Sequence, residues 1–518
     1  MTDRTAPPTQ ASPPAAGRRH ELDLLGMGIV LTLVFLHTIT IFSGQQVIMN
    51  VRHLFDTGLE AAATLDQGQV PAAMLAQFQE SGKPLSSATV TVTVAATDTV
   101  TAAVTAWTMT DQGTQYYLIK GPQAIHVRAS DQGPLVDIVA SFIISFVVTW
   151  AMPLIMLIAG IAIQYSLRKR GAGEFVRDRL LRLLVPFLVG LVLTMPLQTY
   201  FAAKFRSLDY QETFWQFFPR FWNVRFDLTA FPIFVRSVPQ TLVPGGPEMP
   251  VFDISHLWFL LYLLVYTLLL LPLFLYLRSP NGARLVERLA GFFSRPWTVY
   301  LLALPLALIE GLLATEWPSG WNRFIWPVLI LYGYVFASDE RFTQVLVRHR
   351  KSALWLGING FMLYFGLLGI LINLLGVANP FIDMSAFGIA SRVVKGLASW
   401  FWIVAILGFA TYRRQRAAEK PSVEGKPSFW ERAAAYGREA QVPFYVLHQL
   451  PIIVIGYYVI DWNTNALVKF LVICLASYAV TFALYDLVVR RIPGVRFLFG
   501  ARARRKERPA AQKPGASR

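Results

Sequence analysis

Cysteine and charge are both scarce in this chain of 518 residues. One cysteine, Cys474, lies inside an apolar run, which excludes a disulfide framework and argues against a cysteine-based metal site or nucleophile. Charged residues make up 15% of the chain against 54% hydrophobic residues, and they gather in blocks between long runs that lack them. A soluble protein of this length would interrupt its apolar runs with charge every few positions. Zinc-ligand spacing, a Gly-rich phosphate loop and a Ser-centred elbow are missing too. So is an acidic pair outside the apolar runs of the kind a polymerising glycosyltransferase uses for metal and sugar nucleotide. Neither an internal repeat nor inverted-repeat symmetry of the secondary-transporter kind is visible.

What is present is a series of runs near the roughly 20 apolar residues that a helix needs to cross a bilayer. They fall at 24–43, 140–164, 180–199, 256–277, 297–316, 322–338, 352–376, 390–411, 442–460 and 466–489. Every second connection is basic. Arg18 and Arg19 precede the first run; Arg168, Lys169, Arg170, Arg177 and Arg179 join the second to the third. Arg278, Arg284, Arg288 and Arg295 follow, then Arg341, Arg348, Arg350 and Lys351, then the block from Arg413 to Arg438 and the tail from Arg490. This is the positive-inside pattern. The net charge of +16 is therefore a topology signal and not a nucleic-acid footprint, which would be a stripe on one folded domain. The expectation is an all-α polytopic membrane protein of about ten transmembrane helices with a small β-rich extracytoplasmic insert, lying in a bacterial inner membrane with both termini cytoplasmic.

The expected divisions are a disordered tail at 1–19, a first transmembrane helix at 20–43, the insert at 44–136, the remaining nine-helix membrane domain at 137–490 and a basic tail at 491–518. The first apolar run is of full spanning length with no small-residue cleavage site after it, so it reads as an anchor and not a cleaved signal. In the insert, ATVTVTVA alternates with period two, and TAAVTAWTMT–DQG–TQYYLIK reads as a hairpin. AIHVRAS suggests one more strand and VPAAMLAQFQES a short amphipathic helix. A second outward segment, 200–255, interleaves aromatics and arginines in FWQFFPRFWNVRF. That composition suits headgroup level in a membrane, or stacking against sugar rings.

Titratable side chains in hydrocarbon cost several kcal/mol, so those present are functional candidates. His37 lies in the outer half of the first run, where an imidazole can take a proton from an acceptor hydroxyl; the bland reading is a histidine bonded to nearby backbone. Glu310, in the fifth run, can orient His37 or another histidine, contact an acceptor, or sit as a neutral acid on a backbone carbonyl. His256 and Trp258 open the fourth run at the outer boundary, with Ser255 or Asp253 as helix cap. His448, with Tyr445 and Gln449 beside it, is placed on the cytoplasmic half of the ninth run, along the path of a donor. Arg392 and Lys395, one turn apart near an outer end, can snorkel to headgroups or hold an anion. On the inner face, Arg179 and Arg182 share a helix side at α-helical spacing, ready to grip phosphates or simply to anchor the loop.

Taken together these stretches resemble the integral-membrane acyltransferases of family three, in particular the branch that includes the periplasmic glucan succinyltransferase. The resemblance rests on ELDLLGMGIVLTLVFLHTITIF, MPLIMLIAGIAIQYSLRKR, FVRDRLLRLLVPFLVG, ISHLWFLLYLLVYTLLLLPL and PFYVLHQLPIIVI. It implies transfer of an acyl group, acetyl or succinyl, from cytoplasmic acyl-CoA to a hydroxyl of an extracytoplasmic glycan or glycolipid. The resemblance makes His37 catalytic and gives Arg179 and Arg182 to the donor; with the residue readings above, Glu310 joins His37, His448 lies on the donor's path, and His256, Trp258, Arg392 and Lys395 line the outer mouth. Acyl-CoA enters as co-substrate; no bound cofactor, metal or nucleic acid is implied. Two departures stand out: the family arginine eleven positions before the histidine is Gly26 here, and relatives keep the 44–136 connection short. A polytopic transporter or flippase for a glycan or lipid is the rival reading.

Overall fold

The computed structural model describes residues 20–42, 105–111, 114–120, 124–128, 133–206, 210, 212–241, 248–313, 320–377, 379–419, 428–459, 462 and 464–501. The tail at 1–19, the strand expected at ATVTVTVA and the helix expected at VPAAMLAQFQES lie outside the described residues. So does the Arg18–Arg19 pair, as does the basic tail beyond residue 501; its first part, 491–501, is described and carries the helix Pro493–Leu498.

Helix α1 (His20–Thr40) is followed by three antiparallel strands, β1 (Thr105–Asp111), β2 (Thr114–Lys120) and β3 (Ala124–Arg128), in the order β1-β2-β3. Thr105 pairs with Lys120 and Asp111 with Thr114. The helices then run α2 (Gly133–Arg168), α3 (Ala172–Arg179), α4 (Val185–Leu193), α5 (Met195–Arg206), α6 (Phe214–Phe221), α7 (Trp258–Leu269), α8 (Leu271–Arg278), α9 (Pro280–Phe293) and α10 (Ala303–Leu312). After them come α11 (Ile325–Phe336), α12 (Glu340–Gly369), α13 (Ala386–Ala418), α14 (Phe429–Leu447), α15 (Gln449–Val459), α16 (Ala466–Ala483) and α17 (Pro493–Leu498).

Among the described residues six continuous helical stretches are long and apolar enough to cross a membrane. Counting three bent pairs as single spans raises this to nine. The bends are 50° between α7 and α8, 119° across α9 and the stretch Thr298–Leu312, and 48° between α14 and α15. The run at 322–338 forms α11, a helix of 12 residues, about 18 Å long and short of the roughly 30 Å hydrocarbon core. Proline supplies two of the bends. Pro272 enters at the start of α8, and Pro451 follows the α14–α15 junction, and each lacks the N–H that a continuing helix needs.

Leucines such as Leu193, Leu269, Leu308, Leu312, Leu363 and Leu475 are exposed on the outside of the bundle, a surface that suits lipid and not water. Inside, α12 packs along α13, α10 along α13, α1 along α14 and α2 along α11. The α2–α11 pair meets backbone to backbone. A Cβ on Gly333 would lie 1.9 Å from the Leu157 carbonyl oxygen, and one on Gly160 would lie 2.1 Å from that of Ile330. Small residues at such crossings let membrane helices approach closely. On the segment before α7, α6 starts with a capping box between Thr213 and Gln216; it buries Phe217 and Phe221 and leaves Trp215 outward.

Candidate active site

Three histidines converge from three parts of the fold. His37 sits in the last turn of α1, His256 in the 3-10 turn Ser255–Leu257 that leads into α7, and His448 at the break between α14 and α15. Nε2 of His448 lies 3.1 Å from Nδ1 of His37, and the two ring planes are nearly parallel, 20° apart, with centroids at 5.0 Å. The His256 ring stands edge-on to His448, again at 5.0 Å. The sequence reading set His448 apart, on the cytoplasmic half. The two rings nonetheless meet, because His448 stands at the break that follows the 19 residues of α14. His448 and His37 share one depth.

The break explains how the ring is held. In a continuous helix the carbonyls of Tyr445 and Val446 would accept from the amides four residues on. Here the chain turns at His448, and those carbonyls become end-of-helix acceptors. His448 Nδ1 donates to the Tyr445 carbonyl at 2.8 Å, and His256 Nε2 donates to that of Val446 at 3.2 Å. The Tyr445 hydroxyl returns a hydrogen bond to the His256 carbonyl. Gln449 donates to Ser255 Oγ at 3.0 Å, and Asp253 accepts from the Ser255 amide at 2.8 Å, while neither Ser255 nor Asp253 takes the N-cap position that the sequence suggested. His448 is fully buried and His256 nearly so, while His37 is half-buried. Among the described residues, Nδ1 of His256 and Oε1 of Gln449 are buried acceptors with no hydrogen-bond partner. Each is able to accept a hydrogen bond from a group brought into the site.

A second buried cluster takes the remaining candidates. Glu310 accepts from the Asn322 amide at 2.7 Å and faces Lys395 Nζ at 2.8 Å. Its partner is thus a lysine and not His37. Lys395 also donates to the Gly320 carbonyl and lies 4.0 Å from the Trp321 ring centroid. Arg392 donates to the carbonyls of Glu310 (2.9 Å), Gly311 (3.3 Å) and Pro380 (3.2 Å). Neither cation snorkels. Both are about 1% exposed, because α13 turns them onto the C-terminal end of α10. Trp258, expected at the outer mouth, is instead a core residue, 5.4 Å from Trp326 and 5.3 Å from Tyr262 by ring centroids.

On the basic face, Arg182 pairs with Asp178 at 2.8 Å, and Arg170 meets the other oxygen of the same carboxylate at 3.2 Å. The Arg179 guanidinium lies over the Phe175 ring at 4.9 Å. Arg182 lies within a π-helical turn, Leu180–Leu184, so the regular α-spacing on which a shared side depended does not run through it. Asp178 went unmarked in the sequence reading; an acid between four arginines was the available signal. Nearby, a Cβ on Gly26 would lie 2.8 Å from the Gln441 amide nitrogen, so α14 fills the space that a longer residue of α1 would use. Asp23–Arg438 at 2.8 Å and Glu21–Arg414 at 3.2 Å tie the start of α1 down beside it.

Among the described residues no group of three or more His, Cys, Asp or Glu is placed to hold a metal. Residues 124–486, more than two thirds of the chain, match the family model of the acyltransferase domain, family three. His256, His448, Glu310, Lys395 and the arginine pair fall inside that stretch, and α1 with His37 lies before it. No curated protein and no solved structure matches the chain.

Proposed function

The chain belongs to the family-three acyltransferases, a membrane acyltransferase, and on that premise we propose that it moves an acyl group from acyl-CoA on its basic, cytoplasmic side to a hydroxyl of an extracytoplasmic glycan or glycolipid, with His37 as general base. The observation that carries this reading is a half-buried imidazole at the end of a membrane-spanning helix, in contact with a second, fully buried one. Ionisable rings in hydrocarbon are costly and mark chemistry. His37 takes the proton of the acceptor hydroxyl as its oxygen attacks the thioester carbonyl. The C–S bond breaks, and the proton passes on to the departing CoA thiolate. The buried acceptors on His256 and Gln449 suit hydroxyl donors of a polyol.

The donor's phosphates would meet Arg179, Arg182 and their neighbours. Arg182 is held by Asp178, so phosphate binding there competes with an existing ion pair. Glu310 has no part in stabilising the imidazolium, because Lys395 neutralises it. With Lys395 and Arg392 both committed to protein acceptors, a succinyl carboxylate has less to meet than the sequence reading offered, and acetyl is the first donor to test. Both termini would lie in the cytoplasm if α11 counts as a short tenth crossing, a reading that the alternation of basic connections supports. Family membership speaks against the transporter reading.

The test is transfer of label from acetyl-CoA, then succinyl-CoA, to outer glycans in vesicles, together with mass spectrometry of envelope glycans with and without the gene. His37→Ala should abolish transfer while insertion and expression persist. Transfer retained by that variant would remove His37 from the mechanism.

A further inference from the structure

His448 has no role in the reaction just described, yet its geometry constrains His37. A backbone carbonyl can only accept, so the 2.8 Å contact with the Tyr445 carbonyl puts a proton on Nδ1 of His448. A neutral His448 then carries its lone pair on Nε2. That lone pair faces Nδ1 of His37 at 3.1 Å, and the contact is a hydrogen bond only if His37 Nδ1 bears the proton. His37 is left with its own lone pair on Nε2. Among the described residues that nitrogen has no partner in the protein.

We infer that His448 is a positioning residue that locks His37 in the Nδ1–H tautomer and so keeps Nε2 free to take the acceptor's proton. The inference rests on the base reading of His37 for its catalytic purpose, and on geometry alone for the tautomer. The tautomer of a histidine is set by what its other nitrogen bonds, most often a backbone carbonyl or carboxylate. Here the setting is relayed through a second imidazole. The carbonyl that begins the relay exists because the helix breaks at His448, which ties the bend of 48° to the chemistry. When Nε2 of His37 accepts the proton, the imidazolium keeps its Nδ1–H on His448 Nε2. The positive charge then lies beside the C-terminal end of α14, where exposed carbonyl dipoles favour a cation. His256 faces the same ring edge-on but spends its Nε2–H on Val446, so it does not compete for His37.

Nitrogen-15 solid-state NMR of the full chain in lipid vesicles, with labelled histidine, tests this directly, since the chain has 7 histidines and His37→Gln and His448→Gln identify two of them. The expected spectrum shows both residues with Nδ1 protonated and Nε2 bare. His448→Leu should shift His37 to the Nε2–H form and lower kcat by about 10²–10⁴, the usual worth of a positioned base, with KM for acyl-CoA within about threefold. His448→Gln, whose side-chain oxygen can stand near the lost Nε2, should recover at least about tenfold of that loss. An Nε2–H tautomer at His37 in the parent protein overturns the inference, and so does a His448→Leu variant with an unchanged His37 spectrum. Transfer retained by His37→Ala would overturn the base reading, and with it the catalytic purpose of the pair, while the parent spectrum still reports the tautomer.

Discussion

Lys395→Met takes from the Glu310 carboxylate its direct ion-pair partner and leaves only the more distant Arg392 as counter-charge. The two groups stand 2.8 Å apart with side chains 1% and 0% exposed. At an effective dielectric constant near 20 their attraction is about 6 kcal/mol, most of it offset by the cost of removing both charges from water. The pair is therefore worth little net, but breaking it is expensive, about 3–5 kcal/mol, because one charge stays buried without its direct partner. That shifts the folding equilibrium by roughly two to four orders of magnitude. Glu310→Gln should be at least as harmful, since it leaves Lys395 and Arg392 one turn apart without an anion between them. The double variant Lys395→Met/Glu310→Gln removes both charges and should recover to within about 1–2 kcal/mol of the parent. Thermal unfolding in lipid nanodiscs, followed by tryptophan fluorescence, orders the four proteins, and acyl transfer per folded molecule is measured alongside. Transfer by the double variant should stay within about threefold of the parent, as expected of a structural pair remote from the reacting atoms. Two results would refute the reasoning. One is a double variant no more stable than the worse single. The other is a well-folded double variant without activity, which would return Glu310 to the chemistry.

Three further outcomes follow from the packing and the caps. Gly333→Ala should destabilise the fold by about 3 kcal/mol or more, because the added carbon meets the Leu157 carbonyl at 1.9 Å and backbone cannot yield as a side chain does; wild-type thermal stability would contradict the crossing. Gly26→Arg should fold poorly alone and recover when combined with Gln441→Ala, since Gln441 is the group in its way; equal expression of the single and double variants would count against that. Asp339 caps α12 through the Arg341 amide, and its hydrogen bonds with Arg341 hold the carboxyl below the ordinary carboxylate value. Its contribution is complete above pH 3.8 and is lost as pH falls through the lowered value, so Asp339→Ala should cost about 1 kcal/mol near neutrality and progressively less in acid.

Hydrophobicity and charge placement determined, by themselves, that this chain lives in a bilayer and where its apolar helices fall, because the cost of polar groups in hydrocarbon acts on each run separately. They also singled out His37, His256 and His448, since an ionisable ring in such a run needs a reason to be there. Only the tertiary structure decided which of these groups meet. Residues 37, 256 and 448 are far apart in the chain, and their convergence depends on a helix break whose freed carbonyls hold two of the three rings. The same holds for the partners that the sequence left open. Glu310, for which a histidine, an acceptor or a backbone carbonyl all fit the sequence, meets Lys395, and a π-turn runs through Arg182. Spacing along a helix predicts which side a residue takes only while the helix stays regular. What stands across from that side is set by packing between distant segments, which no local pattern records.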